Sequence, residues 1–133
     1  MPTPRYHVIY INIVGKGSYA YSISIENDYQ LVIELWCRYA GKMSYKRVLR
    51  EALREAMEEY VRMGLGETPV VVAIPDNKSS REVVGEGFLE VLAGDRVTHE
   101  VIYVAPKRYR RGVELAKYCL KRGLDRYPPR KNL

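Results

Sequence analysis

Three segments with the residue pattern of β-strands follow one another within the first 39 residues, separated only by short turns. Residues 6–14 form an apolar run rich in β-branched and aromatic side chains, which is typical of a strand buried on both faces. Residues 19–25 and 30–39 alternate in polarity, which predicts half-buried antiparallel strands. The chain therefore opens with a three-stranded meander, and later strands must join the sheet beside it.

The remainder of the chain alternates helices with short apolar strands. The predicted elements are a helix over residues 45–63, a strand over 69–74, a helix over 79–93, a strand over 99–105 and a helix over 110–122. The resulting order, β-β-β-α-β-α-β-α, predicts an α/β fold with a mixed five-stranded sheet, because two right-handed crossovers extend the meander from its first strand. That first strand then lies near the middle of the sheet.

Two of these elements carry finer expectations. The helix over residues 79–93 begins with a capping-box pattern at Ser79 and Glu82. Its expected buried side consists of Val83, Val84, Phe88, Val91 and Leu92. After the last helix, residues 124–133 are expected to form a loose tail.

Length and composition indicate a single domain over residues 1–133, one large enough to bury a core without metals or disulfides. No apolar run approaches the ~18 residues of a membrane span, and no signal peptide is apparent, so a cytoplasmic location is expected. The only two cysteines, Cys37 and Cys119, are accordingly predicted to be free thiols. Scarce amide side chains and abundant charged ones are typical of a thermophile.

The order of elements resembles that of the ribonuclease H-like superfamily over roughly residues 5–123. The resemblance implies nucleic-acid chemistry in which a few carboxylates hold two divalent metal ions, Mg²⁺ or Mn²⁺, that cleave a phosphodiester. It places the family's acidic positions at Asp76 after the fourth strand, at Glu51 or less well Glu55 in the first long helix, and at Glu114 in the last. Asp76 is the best-matched metal ligand. The position on the first strand holds Asn12, so the resemblance implies weak or absent catalysis.

Positive charge is concentrated at the end of the chain. Residues 1–98 contain 12 Lys and Arg against 13 Asp and Glu, whereas residues 99–133 contain 10 against 3. An aromatic residue lies among cations at the start of the last helix, a pattern suited to phosphates with a base stacked between them. The candidate nucleic-acid-binding residues are Lys107, Arg108, Tyr109, Arg110, Arg111 and Lys117. A solvated helix face that only aids solubility is the alternative interpretation.

The sequence thus favours a nucleic-acid-binding ribonuclease H-like domain with weak or no catalysis. An active metal-dependent nuclease and a protein-interaction module, dimeric through an edge strand, remain alternatives. The preferred hypothesis requires the first strand and the strand over residues 69–74 to be sheet neighbours. It further expects Asn12, Asp76 and the basic segment to meet at one end of that sheet.

Overall fold

A computed structural model describes residues 4–130 of the chain. Its strands are β1 (His7–Lys16), β2 (Ser18–Asn27), β3 (Val32–Lys42), β4 (Val70–Pro75) and β5 (His99–Val104). Its helices are α1 (Tyr45–Arg62), α2 (Lys78–Gly85), α3 (Phe88–Ala93) and α4 (Arg110–Arg122), with a short 3₁₀ helix at Pro106–Arg108 before α4. None of the helices within these residues is both long and apolar enough to cross a bilayer.

The five strands form one mixed sheet in the order β3-β2-β1-β4-β5. Strands β1, β2 and β3 pair antiparallel as a meander, while β4 lies parallel to β1 and β5 parallel to β4. The predicted fold class is therefore confirmed. The expectation that the first strand and the Val-rich strand are neighbours is also confirmed, with Tyr10 of β1 opposite Ala73 of β4.

Helices cover the two faces of the sheet unequally. Alternate residues of β1, among them Ile9 and Ile11, face the side of α1, where they join the main hydrophobic core with Trp36 of β3. The other face carries a smaller apolar cluster of Ala20, Cys37 and Cys119 beneath α4. Since α4 packs mainly over β1, β2 and β3, the helices described in residues 4–130 leave the β4–β5 part of that second face largely uncovered.

The helix predicted over residues 79–93 is two helices, α2 and α3. The break lies at Gly87, whose φ of 77° is a left-handed conformation that glycine adopts without steric strain. The N-cap of α2 is Asn77, whose Oδ1 accepts from the N–H of Ser80 at 2.8 Å, and the predicted capping box is wrong. The break also turns Val91 outward, so that this predicted core residue is 81% exposed.

The prediction of free thiols is wrong, because Cys37 of β3 and Cys119 of α4 form a disulfide. Their side chains meet where α4 crosses the outer part of the sheet, in the small apolar cluster described above. The bond joins residues 82 positions apart in the chain, and it fixes the C-terminal part of α4 to β3, an edge strand.

Part of the predicted loose tail is attached to the free edge of β3. The N–H of Tyr39 donates to the carbonyl of Leu124, and Cys37 exchanges two backbone hydrogen bonds with Tyr127. The guanidinium of Arg126 lies 4.7 Å above the ring of Trp36. The expectation of a loose segment is therefore wrong for residues 124–130, while residues 131–133 lie outside the described part of the chain.

Candidate nucleic-acid interface

The face of β1 that carries Asn12 is closed by the backbone of α4. Strand alternation directs Asn12 to the α4 side, opposite Ser22 of β2. The Ser22 hydroxyl donates to the carbonyl oxygen of Gly112 at 2.7 Å, and a Cβ at Gly112 would collide with Nδ2 of Asn12. Asn12 therefore packs directly against the backbone of α4, at the point where the helix comes close to the sheet.

Because α4 lies so close to the sheet at Gly112, we expect one added methyl group there to destabilise the fold. The substitution Gly112→Ala is expected to lower the free energy of unfolding by about 1–3 kcal/mol, the usual cost of overpacking a buried contact. Asn12→Ala in the same chain should recover most of that loss, because it removes the group that the new methyl meets. Urea denaturation of the single and double variants measures both effects.

Gly85→Ala is the matched control, since a Cβ there has no heavy atom within 4 Å among the described residues. That helical position should gain slightly in stability from its higher helix propensity. The packing described for α4 would be contradicted if Gly85→Ala and Gly112→Ala lowered the free energy of unfolding equally, or if Asn12→Ala restored none of the stability that Gly112→Ala loses.

The three predicted catalytic carboxylates lie apart, and each is paired with a cation. Asp76, which follows β4, forms an ion pair with Arg81 of α2. Glu51 binds Arg54 on the outer side of α1, and Glu114 lies 3.7 Å from Lys117 on the exposed side of α4. Within residues 4–130 there is no cluster of three acidic, His or Cys side chains able to hold a metal ion. The residues present do not fit a two-metal centre.

Glu55 is the carboxylate of α1 that faces the sheet, and its environment is structural. It accepts hydrogen bonds from the indole of Trp36 at 2.5 Å, the hydroxyl of Tyr21 at 2.5 Å and the guanidinium of Arg38 at 2.9 Å. Burial opposes its ionisation, but these hydrogen bonds outweigh burial and lower the pKa of Glu55. With three donors on its two oxygens, Glu55 holds α1 against β2 and β3.

Tyr109 anchors the start of α4 on the sheet. Its ring packs against Tyr10 of β1 with centroids 4.4 Å apart, and its hydroxyl is 2.8 Å from that of Ser24. Burial raises the pKa of Tyr109 to about 12, so the hydroxyl stays protonated at any pH of interest. The sequence suggested a stacking platform for a base, but the structure shows a ring already packed against another.

The arginines beside Tyr109 surround a shallow depression of about 280 Å³. Arg108, Arg110 and Arg111 line it together with Glu26 and Gln30. Glu26 lies opposite Val8 near the start of β1, whereas Asp76 follows the far end of β4, which runs parallel to β1. The expectation that the arginines share a pocket with Asp76 is therefore wrong, because the contact with Tyr10 draws them toward the other end of the sheet.

The outer surface of α4 and the preceding 3₁₀ helix is strongly basic. We call this the α4 basic surface; it consists of Lys107, Arg108, Arg110, Arg111, Lys117, Lys121 and Arg122, all exposed. Glu114 is the single acidic residue in the same stretch, residues 106–123. Within the described part of the chain, Lys117 alone among the seven cations has an ion-pair partner. The surface thus keeps most of its charge uncompensated.

Many of the cations on the opposite side of the molecule are paired with neighbouring carboxylates. Five ion pairs there join a basic residue of α1 or α2 to an acidic residue in or beside the same helices. The pairs are Lys46–Glu82, Arg50–Glu86, Arg54–Glu51, Arg62–Glu59 and Arg81–Asp76. The contrast confines the net positive charge of the chain largely to the α4 side.

Ribonucleases H are among the solved structures that are similar to this chain. LC11-RNase H1, solved in complex with an RNA/DNA hybrid, matches with a TM-score of 0.72 and 16% identity over 88% of this chain and 98% of that one. RNase H1 from the halophilic archaeon Halobacterium salinarum NRC-1 matches with a TM-score of 0.70 and 13% identity over the same shares.

The N-terminal RNase H domain of a Mycobacterium tuberculosis protein matches with a TM-score of 0.66 and 12% identity, over 85% of this chain and 97% of that one. No protein-family model and no curated protein sequence matches this chain. These likenesses show the ribonuclease H-like fold and leave the function to be argued from this chain's own residues.

Proposed function

We propose that this chain, which has the ribonuclease H-like fold, binds nucleic acid through the α4 basic surface and does not cleave it by metal-dependent chemistry. The observation that carries the proposal is the uncompensated charge: seven exposed cations against one carboxylate in residues 106–123. A polyanion releases counterions when such a surface neutralises its phosphates, and this supplies most of the binding free energy.

The geometry of α4 suits a run of phosphates. Its 13 residues extend for about 20 Å, and its basic side chains project from the outer side along that length. The guanidinium groups of Arg108, Arg110 and Arg111 can each donate two hydrogen bonds to a phosphate. In this proposal Tyr109 is a positioning residue, because its packing on Tyr10 fixes the backbone that carries these three arginines.

A polynucleotide partner also agrees with the similar structures, one of which was solved with an RNA/DNA hybrid. Cleavage is not proposed, because the residues at the family's acidic positions are dispersed here. Asn12 lies under α4, and Asp76, Glu51 and Glu114 each pair with a different cation. The chain has the fold of a nuclease with a surface better suited to holding a nucleic acid than to cutting it.

Fluorescence anisotropy with labelled single-stranded, duplex and hybrid oligonucleotides at about 50 and 200 mM salt tests the proposal. We expect binding that weakens steeply with salt, since several phosphates are neutralised. Absence of binding at the lower salt, or an affinity unchanged between the two, would contradict it.

Removing the carboxylate from the arginine-lined depression should strengthen binding. Glu26→Gln preserves side-chain shape but removes a negative charge beside Arg108, Arg110 and Arg111. The expected gain in affinity is roughly threefold at low salt, from one less repulsive charge near a phosphate.

Glu67→Gln is the control for that experiment, because it changes the net charge equally at an exposed residue between α1 and β4. Equal gains from both substitutions would show a general effect of net charge. That result would argue against binding in the depression.

The nuclease alternative has its own test. Incubation with Mg²⁺ or Mn²⁺ and each oligonucleotide type is expected to give no cleavage, with wild type and Asp76→Ala indistinguishable. Cleavage that requires the metal and disappears in Asp76→Ala would establish a rearranged acidic site and overturn the non-catalytic part of the proposal.

Self-association through β3 is the second candidate function. Among residues 4–130, backbone hydrogen bonds from the C-terminal segment reach the edge of β3 at Cys37 and Tyr39 only, and the start of the strand presents exposed Val32 and Ile33 beside Leu31. An apolar edge strand whose backbone groups are unpaired can pair with another chain. Light scattering of wild type and Ile33→Lys tests this: a dimer lost in the variant supports the candidate, and a monomeric wild type rejects it.

A further inference from the structure

The part of the sheet that α4 leaves uncovered forms an apolar groove of about 690 Å³. Two rows of side chains across β1, β4 and β5 make its floor. In the sheet register Val8, Val71 and Glu100 form one row, and Tyr10 and Ile102 line the groove in the other, on either side of the buried Ala73. Tyr6 and Ile102 are 38% and 40% exposed, so this apolar surface is open to solvent.

The groove adjoins the arginine-lined depression. Tyr10 belongs to the groove floor and packs against Tyr109, which belongs to the wall of the depression. The two concavities therefore lie on either side of the Tyr10–Tyr109 pair. Arg5 also lines the groove, and its guanidinium is ion-paired with Asp28.

We propose that this groove receives unpaired bases, which makes single-stranded nucleic acid the preferred ligand of the chain. This inference rests on the proposed function, because the phosphates of the same strand would be held by the α4 basic surface. A base has a flat apolar face that stacks on aromatic side chains, and only an unpaired base exposes that face. In a duplex the bases are stacked inside, where the ring of Tyr6 cannot reach them.

Charge selects this occupant over an uncharged one. An apolar peptide or an acyl chain would fill the groove, but neither would engage Arg108, Arg110 and Arg111 beyond the tyrosine pair. A single strand combines apolar faces with a phosphate at every residue, and it matches both concavities at once. Glu100, the acidic member of the floor, lies at the β5 end, away from those arginines.

The experiment compares Tyr6→Leu with Tyr127→Leu, using oligothymidine and a duplex of equal length at fixed low salt. Leucine retains apolar area but removes the aromatic face, and Tyr127 is a matched control because it is 40% exposed at the other edge of the sheet. We expect Tyr6→Leu to weaken single-strand binding about tenfold, as loss of one base–aromatic stack does. Duplex binding by Tyr6→Leu, and all binding by Tyr127→Leu, should remain unchanged.

Ile102→Glu is a second variant, which places a carboxylate on the groove floor and should weaken single-strand binding at least as much. Equal affinity of wild type for the two ligands, with no effect of either groove substitution, would overturn this inference and leave the proposed function standing. Failure of wild type to bind any oligonucleotide would overturn both. Thermal denaturation of every variant excludes misfolding as the cause.

Discussion

Replacing Arg108, Arg110 and Arg111 together by alanine should lower the affinity for a single-stranded oligonucleotide roughly 100-fold at about 0.1 M salt. Each lost phosphate contact reduces the slope of log affinity against log salt by about 0.7, so three contacts reduce it by about 2. The three side chains are exposed and line one depression, and none has an ion-pair partner within residues 4–130. Their removal therefore costs binding and little stability.

A triple variant of the opposite side, Lys46→Ala with Arg50→Ala and Arg54→Ala, is the matched control. It removes the same number of charges, but each of these cations is paired with a carboxylate. We expect its affinity and salt slope to stay near those of wild type. Equal losses in both triple variants would mean that net charge, and not the α4 basic surface, governs binding.

The second large effect concerns the bond between Cys37 and Cys119. Its reduction, or the double substitution to alanine, should lower the free energy of unfolding by about 4.5 kcal/mol, according to the loop-closure entropy of a cross-link between residues 82 apart. The bond restricts the unfolded chain and fixes α4 to β3. Oligonucleotide binding should be lost with it at temperatures where the reduced protein unfolds.

Urea denaturation with and without dithiothreitol measures this loss. The unfolding midpoint of the alanine double variant should equal that of the reduced wild type. It should not change when dithiothreitol is added, because the variant has no cysteine left to form a disulfide. An unfolding midpoint of wild type that does not change on reduction would contradict a disulfide that stabilises the fold.

The strand pattern allowed most of the architecture to be predicted. Alternation in β2 and the continuous apolar runs of β1 and β4 are local signals, and right-handed crossovers left few ways to order the strands. The sheet order and the neighbouring of β1 and β4 followed from them. The break between α2 and α3 was missed because the apolar spacing from Val83 to Leu92 continues through Gly87, whose left-handed φ has no signature in that spacing.

Contacts between distant residues could not be predicted in the same way. The sequence gives no signal that pairs Cys37 with Cys119, and composition alone favoured free thiols. Residues 124–130 have the polar and proline-rich character of a tail, but the carbonyls of Leu124 and Tyr127 find unpaired N–H groups on β3. Unpaired N–H groups of this kind can be predicted from the sequence only once it is known which strand lies at the edge of the sheet.

The candidate interface likewise combines a feature that could be predicted from the local sequence with one that depends on contacts between distant residues. The positive charge of the interface could be predicted from the run of cations around Tyr109, and those cations remain the proposed ligands of phosphate. The position of the interface could not be predicted, because the packing of Tyr109 on Tyr10 holds the arginines away from the end of the sheet that carries Asp76. Tyr10 belonged to an apolar run, and the spacing of that run gave no reason to pair it with Tyr109.

Hydrogen–deuterium exchange with and without a saturating single-stranded oligonucleotide tests most directly where nucleic acid binds. We expect slower exchange over residues 107–122 and in β5 around Ile102, with no change at residues 76–78. Protection centred on Asp76 and the start of α2, with residues 107–122 unaffected, would contradict binding at the α4 basic surface.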